Sequence, residues 1–212
     1  MRWVVFGNGQ LTNYAFAQRL LLPNDYIVCC DGGMRHAHAL HITPQLIIGD
    51  MDSADEAIAM FFRAAGVTFE SYPPEKDYTD LELAILRAIK SNASEILVLG
   101  ATGGRLDHTL ANMHALLPAA AKGIPATLAD DQNTIRATCD KLVIEGDRGS
   151  WVSLIPADGE VSGISTEGLY YPLHNETLFA GAARGISNVM TDERAVITVK
   201  SGRLFIIQSL DS

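Results

Sequence analysis

The sequence predicts an α/β fold, in which an N-terminal parallel sheet covered by helices is followed by a small all-β sandwich. Two observations predict it. Over about the first 130 of the 212 residues, short apolar segments alternate with helical patterns. From about Thr134 the apolar segments become shorter and are separated by Gly, Asp, Asn and Pro. Strands that are apolar throughout and separated by helices are typical of a parallel sheet buried on both faces.

Six apolar segments of the first part are predicted strands. They are residues 3–6, 26–30, 45–48, 67–72, 96–99 and 126–129. Between them, apolar residues recur at intervals of three and four, which predicts helices over residues 11–22, 54–65, 80–89 and 106–121. This alternation indicates a Rossmann-like parallel-sheet domain.

The second part shows no convincing helical pattern. Its predicted strands are residues 141–145, 151–156, 168–171, 195–199 and 204–207. Short strands with frequent turn residues predict a sandwich or a partial barrel. The boundary falls between residues 131 and 149, and we predict domains over residues 1–135 and 136–212.

Composition excludes several classes of protein. The net charge of −9 argues against nucleic-acid and anionic-membrane partners. No apolar run approaches the ~20 residues of a membrane helix, and glycine at position 7 comes too early for a signal peptide. Cys29, Cys30 and Cys139 form no disulfide framework and are expected as thiols in a reducing compartment. We therefore expect a soluble, cytoplasmic protein.

Charged residues follow three predicted strands of the first part. Asp31 follows residues 26–30, Asp50 and Asp52 follow residues 45–48, and Arg105 comes shortly after residues 96–99. Because parallel strands end along one edge of a sheet, we expect these side chains to be neighbours. Asp31-Gly32 has an alternative explanation as a turn, and Asp50 or Asp52 as a helix cap. Two acids one residue apart repel each other, and a bound cation would relieve that repulsion, which favours a metal site.

Residues 76–80 form a second candidate segment. Thr79 and Glu82 fit a capping box at the start of a helix. Capping does not explain Lys76, because a cation near the positive end of a helix is unfavourable without an anion. Four carboxylates and a lysine are what a magnesium–polyphosphate site requires. The sequence therefore favours nucleotide-dependent group transfer.

Residues 100–108 form the candidate phosphate loop. Gly103 and Gly104 allow backbone amides to approach an anion, and Arg105 offers a planar set of donors to phosphate oxygens. The loop is neither a Walker A motif nor a dinucleotide-binding fingerprint. His108 is either an acid–base group or a hydrogen-bonding partner. Gly7-Asn8-Gly9 is interpreted as a plain strand-to-helix turn.

Taken together, these segments resemble the thiamine pyrophosphokinase family in order and spacing. The matching segments are Cys30-Asp31-Gly32-Gly33, Ile48-Gly49-Asp50-Met51-Asp52-Ser53, Lys76-Asp77-Tyr78-Thr79-Asp80, Gly100-Ala101-Thr102-Gly103-Gly104-Arg105-Leu106-Asp107-His108, Thr166-Glu167-Gly168-Leu169-Tyr170-Tyr171-Pro172-Leu173 and Arg184-Gly185-Ile186-Ser187-Asn188. The resemblance implies Mg²⁺-dependent transfer of pyrophosphate from ATP to the hydroxyl of thiamine, giving thiamine diphosphate and AMP. It also implies a homodimer with the thiamine site at its interface.

The resemblance assigns roles to individual residues. It implies that Mg²⁺ is held by Asp50, Asp52 and Asp80, with Asp31 close by. Contact with ATP and its phosphates is implied for Lys76, Thr79, Gly103, Gly104, Arg105 and Asp107, with Asp77 helping to shape the nucleotide site. Asp31 or Asp77 is a candidate acceptor for the proton of the attacking alcohol. Thiamine contacts are implied for Ser187, Asn188 and Tyr171.

Two alternatives remain at this point. A pyrophosphokinase for another heteroaromatic alcohol, such as a hydroxymethyl pterin, would share the α/β part and differ in the β part. A nucleotide or thiamine sensor without turnover would be free to lose one of Asp50, Asp52, Asp80 or Arg105, and all four are present. A purely structural module leaves the clustered acids unexplained.

Overall fold

The computed structural model describes residues 1–52, 55–73, 75 and 77–210. The chain divides into two compact units, Met1–Asp131 and a second unit that begins at Gln132. The predicted domains over residues 1–135 and 136–212 stay a prediction.

The first unit is built on a parallel sheet. Its strands are β1 (Arg2–Phe6), β2 (Tyr26–Cys30), β3 (Leu46–Gly49), β4 (Thr68–Ser71), β5 (Glu95–Leu99) and β6 (Ala126–Ala129). They lie in the order β6-β5-β1-β2-β3-β4, and every neighbouring pair is parallel. All strands therefore end along one edge, where ligands bind in folds of this kind.

Helices cover this sheet. They are α1 (Tyr14–Leu20), α2 (Met34–Ala39), α3 (Glu56–Ala64), α4 (Asp80–Lys90), α5 (Leu106–His114) and α6 (Leu117–Ala121). Val4 and Phe6 cluster with Met34 of α2 and Phe62 of α3, whereas α4 packs against β1, β2 and β3. Among the described residues, no helix has the length and apolar character needed to cross a bilayer.

The single helix predicted over residues 106–121 is wrong. The chain forms α5 and α6 instead, with the helical ladder interrupted between them. Pro118 lies in the first turn of α6. Proline has no amide hydrogen and crowds the preceding turn, so it is tolerated at a helix start but not in an interior. The apolar periodicity continues across the break, which is why the pattern alone did not reveal it.

The second unit consists of antiparallel strands. They are β7 (Asn133–Thr138), β8 (Lys141–Glu145), β9 (Trp151–Pro156), β10 (Glu160–Glu167), β11 (Glu176–Phe179), β12 (Asn188–Val189), β13 (Arg194–Thr198) and β14 (Leu204–Ser209). Their orders are β12-β9-β14-β7 and β11-β10-β13-β8. Ile144, Leu154, Ile164 and Ile206 belong to one apolar cluster to which both sets of strands contribute. The mixed α/β architecture with a separate antiparallel part is confirmed.

Two strand predictions in this unit differ from the structure. Residues 168–171, predicted as a strand, form a turn with an isolated bridge between Leu169 and Met190. Strand β10 was not predicted, because its pairing with β11 shifts register between Val161 and Ile164. Gly163 lies at this irregularity with φ +66°. A bulge of this kind interrupts the alternation of apolar and polar residues by which strands are recognised.

Candidate functional site

A cleft of about 670 Å³ lies in the first unit. Five of the connections that follow a strand contribute to it, after β1, β2, β3, β4 and β5. The lining residues that sequence analysis singled out are Asp31, Asp50, Asp52, Thr79, Asp80, Gly103, Gly104, Arg105 and His108. Those that it missed include Gln10, Arg35, Thr109 and Asn112, whereas Gly7, Asn8 and Gly9 were interpreted only as a turn.

Carboxylates gather at one place in this cleft. Asp31, Asp50 and Asp52 each offer an oxygen, and these oxygens lie within 4.8 Å of one another. A Cβ placed on Gly49 would lie 3.0 Å from Cβ of Asp31 and 3.2 Å from Oδ2 of Asp80. Asp80 therefore adjoins the same group. Because Gly49 has no side chain, its backbone can lie close to both Asp31 and Asp80. We call these four residues the acidic cluster.

Asp31 is the most constrained member of the acidic cluster. It is only 5% exposed, and its backbone is left-handed with φ +45°. Its Oδ1 is buried and has no hydrogen-bond partner among the described residues. A buried carboxylate oxygen without a partner is costly, and a bound cation would remove that cost. The resemblance placed Asp31 only near the metal, whereas the structure places it among the candidate ligands.

The turn after β3 shapes the other side of the cluster. Met51 has φ +67°, and the amide of Asp52 donates to Oδ1 of Asp50 at 3.2 Å. Such Asx-type turns are a common use of aspartate in loops. A non-glycine residue in the left-handed region costs on the order of 1 kcal/mol. The backbone thus adopts an unfavourable conformation where it presents two carboxylates to the cleft.

The second candidate segment is partly described. Thr79 caps α4, because its Oγ1 accepts a hydrogen bond from the amide of Glu82 at 3.2 Å. Asp80 is the first residue of α4 and lines the cleft. Asp77 is exposed and is not among the residues that line the cleft. Lys76 lies outside the described residues, so its contact with phosphates stays a prediction.

The glycine loop (residues 100–105) leads directly into α5. Gly100 has φ +62° and Gly103 has φ +148°, conformations that favour glycine. The Nη2 of Arg105 lies 2.6 Å from Oδ2 of Asp107, and both side chains are exposed. This hydrogen bond raises the pKa of Arg105 and lowers the pKa of Asp107. Phosphate would have to compete with Asp107 for Arg105, a modest cost because exposed ion pairs are weak.

The three predicted thiamine residues lie in the second unit. The buried side chain of Asn188 accepts from the amides of Tyr171 at 3.0 Å and Val189 at 2.9 Å. Its Nδ2 donates to the carbonyl of Tyr171 at 2.8 Å. Ser187 is exposed with φ +59°, and the ring of Tyr171 is exposed and packs edge-on against Tyr170. Asn188 therefore holds the turn that displays both tyrosines.

Family models match both units. The model described as "Thiamin pyrophosphokinase, catalytic domain" matches residues 17–128, and the model "Thiamin pyrophosphokinase, vitamin B1 binding domain" matches residues 139–204. The first match spans more than half of the chain, and it contains every member of the acidic cluster and the glycine loop. The second contains Tyr171, Ser187 and Asn188.

Individual proteins agree with these matches. A thiamine pyrophosphokinase of Bacillus subtilis is 33% identical over 172 residues, which is 80% of each chain. A crystal structure of that enzyme from B. subtilis superposes with a TM-score of 0.88 over the whole of both chains, at 27% identity. The thiamin pyrophosphokinase of Geobacillus thermodenitrificans gives a TM-score of 0.87 at 28% identity, covering 100% of this chain and 99% of the other.

Proposed function

The chain belongs to the thiamine pyrophosphokinase family, and we propose that it transfers pyrophosphate from ATP to the hydroxyl of thiamine. The products are thiamine diphosphate and AMP. The observation that carries this proposal is the acidic cluster lying in one cleft with the glycine loop. The cleft volume of about 670 Å³ falls in the range usual for small-molecule sites, roughly 300–1,000 Å³.

The acidic cluster fits Mg²⁺. Its donors are carboxylate oxygens, the ligand type that Mg²⁺ prefers. The Oδ1 of Asp31, which has no partner in the described part of the chain, is a buried anionic atom that a cation would stabilise. We assign Asp50, Asp52 and Asp80 as the residues that hold the ion, with Asp31 beside them. Bound Mg²⁺ supplies positive charge that neutralises phosphate oxygens during transfer.

Other candidate site residues of the first unit bind and orient ATP. Gly103 and Gly104 leave room for phosphates to approach the backbone, and Arg105 and Lys76 add positive charge. Thr79, Asp77 and Asp107 shape the nucleotide site.

The thiamine oxygen attacks the β-phosphorus, an O–P bond forms, and the bond from that phosphorus to the oxygen of AMP breaks. Asp31 or Asp77 accepts the proton of the alcohol, and the rest of the catalysis is orientation and charge.

We assign thiamine binding to the second unit, which we interpret as a sandwich-type domain following a Rossmann-like one. Thiamine carries a permanent positive charge, and the exposed rings of Tyr170 and Tyr171 offer aromatic faces to a cation. Ser187 and Asn188 border the same turn.

We further propose a homodimer with the thiamine site at its interface, and a cytoplasmic location. Light scattering should then give twice the 22.9 kDa mass of one chain.

The test is AMP production from ATP and Mg²⁺, with and without thiamine, followed by chromatography of the nucleotides. We expect AMP only when thiamine is present, in equal amount to thiamine diphosphate. ADP in place of AMP would contradict pyrophosphate transfer. AMP formed with a hydroxymethyl pterin but not with thiamine would show that the acceptor is wrong while the transfer chemistry is right.

A further inference from the structure

Two adjacent residues of α2 hold a single carbonyl group beside the cleft. The carbonyl oxygen of Gly9 accepts from Nη2 of Arg35 at 2.6 Å and from Nε2 of His36 at 3.0 Å. Arg35 also donates to the carbonyls of Asn8 at 2.9 Å and Gly32 at 3.0 Å, and to the side-chain oxygen of Asn8. Together they tie the β1 loop (residues 7–10) to the turn that contains Asp31.

The geometry determines the tautomer of His36. A carbonyl oxygen can only accept, so Nε2 carries the hydrogen and donates to Gly9. The hydroxyl of Tyr14 lies 3.0 Å from Nδ1 and donates to it. His36 is 2% exposed, and burial, together with the charge of Arg35, lowers the pKa of His36 to about 4. His36 is therefore neutral at pH 7, with both ring nitrogens engaged.

The β1 loop is in turn bonded to the glycine loop. Gly9 donates its amide to the carbonyl of Gly100 at 2.6 Å, and Gln10 donates to the carbonyl of Thr102 at 2.9 Å. A Cβ on Gly9 would lie 2.5 Å from the Thr102 oxygen, and a Cβ on Gly100 would lie 3.1 Å from the imidazole of His36. The two loops and His36 are therefore packed too closely for a side chain at either glycine.

We propose that Arg35 and His36 are positioning residues for phosphate transfer, which hold the β1 loop and, through it, the glycine loop in the conformation that receives ATP. This proposal rests on the proposed function. A loop held before ATP arrives does not lose its conformational freedom on binding, which favours both affinity and orientation. Neither residue is assigned contact with the reacting atoms.

The kinetic test uses His36→Leu, which removes the donor to Gly9 and keeps an apolar side chain of moderate size. We expect kcat/KM for ATP to fall about 10- to 100-fold, while KM for thiamine changes by less than about twofold. His36→Gln should restore part of the loss, because its amide nitrogen can donate at the position of Nε2. His38→Leu, on the exposed side of the same helix, is the matched control and should leave both constants unchanged.

A second measurement does not require turnover. Amide hydrogen exchange followed by mass spectrometry should be about tenfold faster in residues 7–10 and 100–105 of His36→Leu, with exchange elsewhere unchanged. Arg35→Lys, which keeps the charge and loses the fork of donors, should show the same effect more weakly. Unchanged exchange in both variants would overturn the proposal, and so would an equal rise in KM for ATP and in KM for thiamine. If the wild-type protein made no AMP, the proposed function would fail, while the exchange data would still decide whether the two residues hold the loops.

Discussion

Asp31 in the first unit and Asn188 in the second are both buried polar side chains, but their hydrogen bonding is opposite. Asp31 is crowded by Asp50 and Asp52, with oxygens of all three within 4.8 Å, and its own Oδ1 has no partner among the described residues. Asn188 makes three hydrogen bonds to the backbone of Tyr171 and Val189. A polar group that is satisfied within the chain has a structural role, whereas an unsatisfied anionic group indicates a ligand. Asn188 therefore serves to build a turn, whereas the buried Oδ1 of Asp31 supports the proposed Mg²⁺ site in the acidic cluster.

Backbone strain accompanies the acidic cluster. Asp31 and Met51 are both left-handed, and Gly49 has φ +153° between them. Strained backbone persists only where the surrounding structure holds it in place, and it is concentrated at functional sites. Ser187, next to Asn188, has the same left-handed backbone conformation. In the second unit this strain lies beside a turn that displays exposed aromatic rings and not beside a group of acids.

The largest effect is expected from Asp52→Asn. Loss of one exposed carboxylate should reduce turnover by about 10²–10³-fold, because a charge that stabilises the transferring phosphates is lost. The fold should be unaffected, and a higher Mg²⁺ concentration should be needed for half-maximal activity. Asp55→Asn is the matched control, because Asp55 caps α3 and asparagine caps equally well. Near-normal activity of Asp52→Asn would contradict the metal assignment.

Gly49→Ala should disturb the cluster without removing a charge. Its Cβ would contact Asp31 and Asp80 at 3.0–3.2 Å, so we expect about 10-fold lower activity and a loss of about 1–3 kcal/mol in the free energy of unfolding. Gly66→Ala measures the backbone contribution alone, because Gly66 has φ +78° but no atom of the described residues outside its own neighbours lies within 4 Å of its Cβ position. Urea unfolding and Mg²⁺-dependent activity would be measured for both. Equal activity of the two variants would show that close approach at Gly49 does not position the acids.

The hydrogen bonds of His36 are satisfied only when its ring is neutral. Protonation by acid should therefore turn it from a satisfied buried group, like Asn188, into a buried charged group that is not satisfied, like Asp31. Above pH 6.5 neither the folded nor the unfolded state protonates it. Between pH 6.5 and the folded pKa of about 4 the unfolded state binds a proton that the folded state does not, so stability falls as pH decreases. The full loss amounts to about 3 kcal/mol. The measurement is the free energy of unfolding of the wild type and of His36→Leu from pH 7 to pH 4.5. The difference, wild type minus variant, should decrease as the pH falls. A constant difference would contradict the assignment of a buried neutral ring.

Asn188→Ala tests the structural side of the comparison. Three hydrogen bonds disappear and backbone groups of Tyr171 and Val189 are left without partners, which should cost about 2 kcal/mol. The affinity for thiamine, measured by calorimetry, should fall because the turn bearing Tyr171 loosens. Ser187→Ala is the control for stability, since its side chain is exposed. Loss of thiamine affinity at full stability would instead indicate direct contact between Asn188 and the substrate.

Much of the sheet could be predicted because buried parallel strands are continuous apolar segments. The predicted bounds of β2, β6, β8 and β9 coincide with the structure. Strands β7, β10, β11 and β12 were missed. These strands are short, half-polar or interrupted by a bulge, and their pairing is decided by partners distant in the sequence rather than by local pattern.

The sequence by itself determined which strand ends carry acids and that a glycine loop precedes α5, because parallel strands bring their carboxyl ends to one edge. It could not determine that Oδ1 of Asp31 is buried without a partner from the described residues, that Asn188 is satisfied by Tyr171, or that Arg35 and His36 share the carbonyl of Gly9. Each of these depends on atoms of segments separated by tens of residues meeting within hydrogen-bond distance. Only the tertiary structure decides such contacts, because they follow from packing and not from the local order of residues.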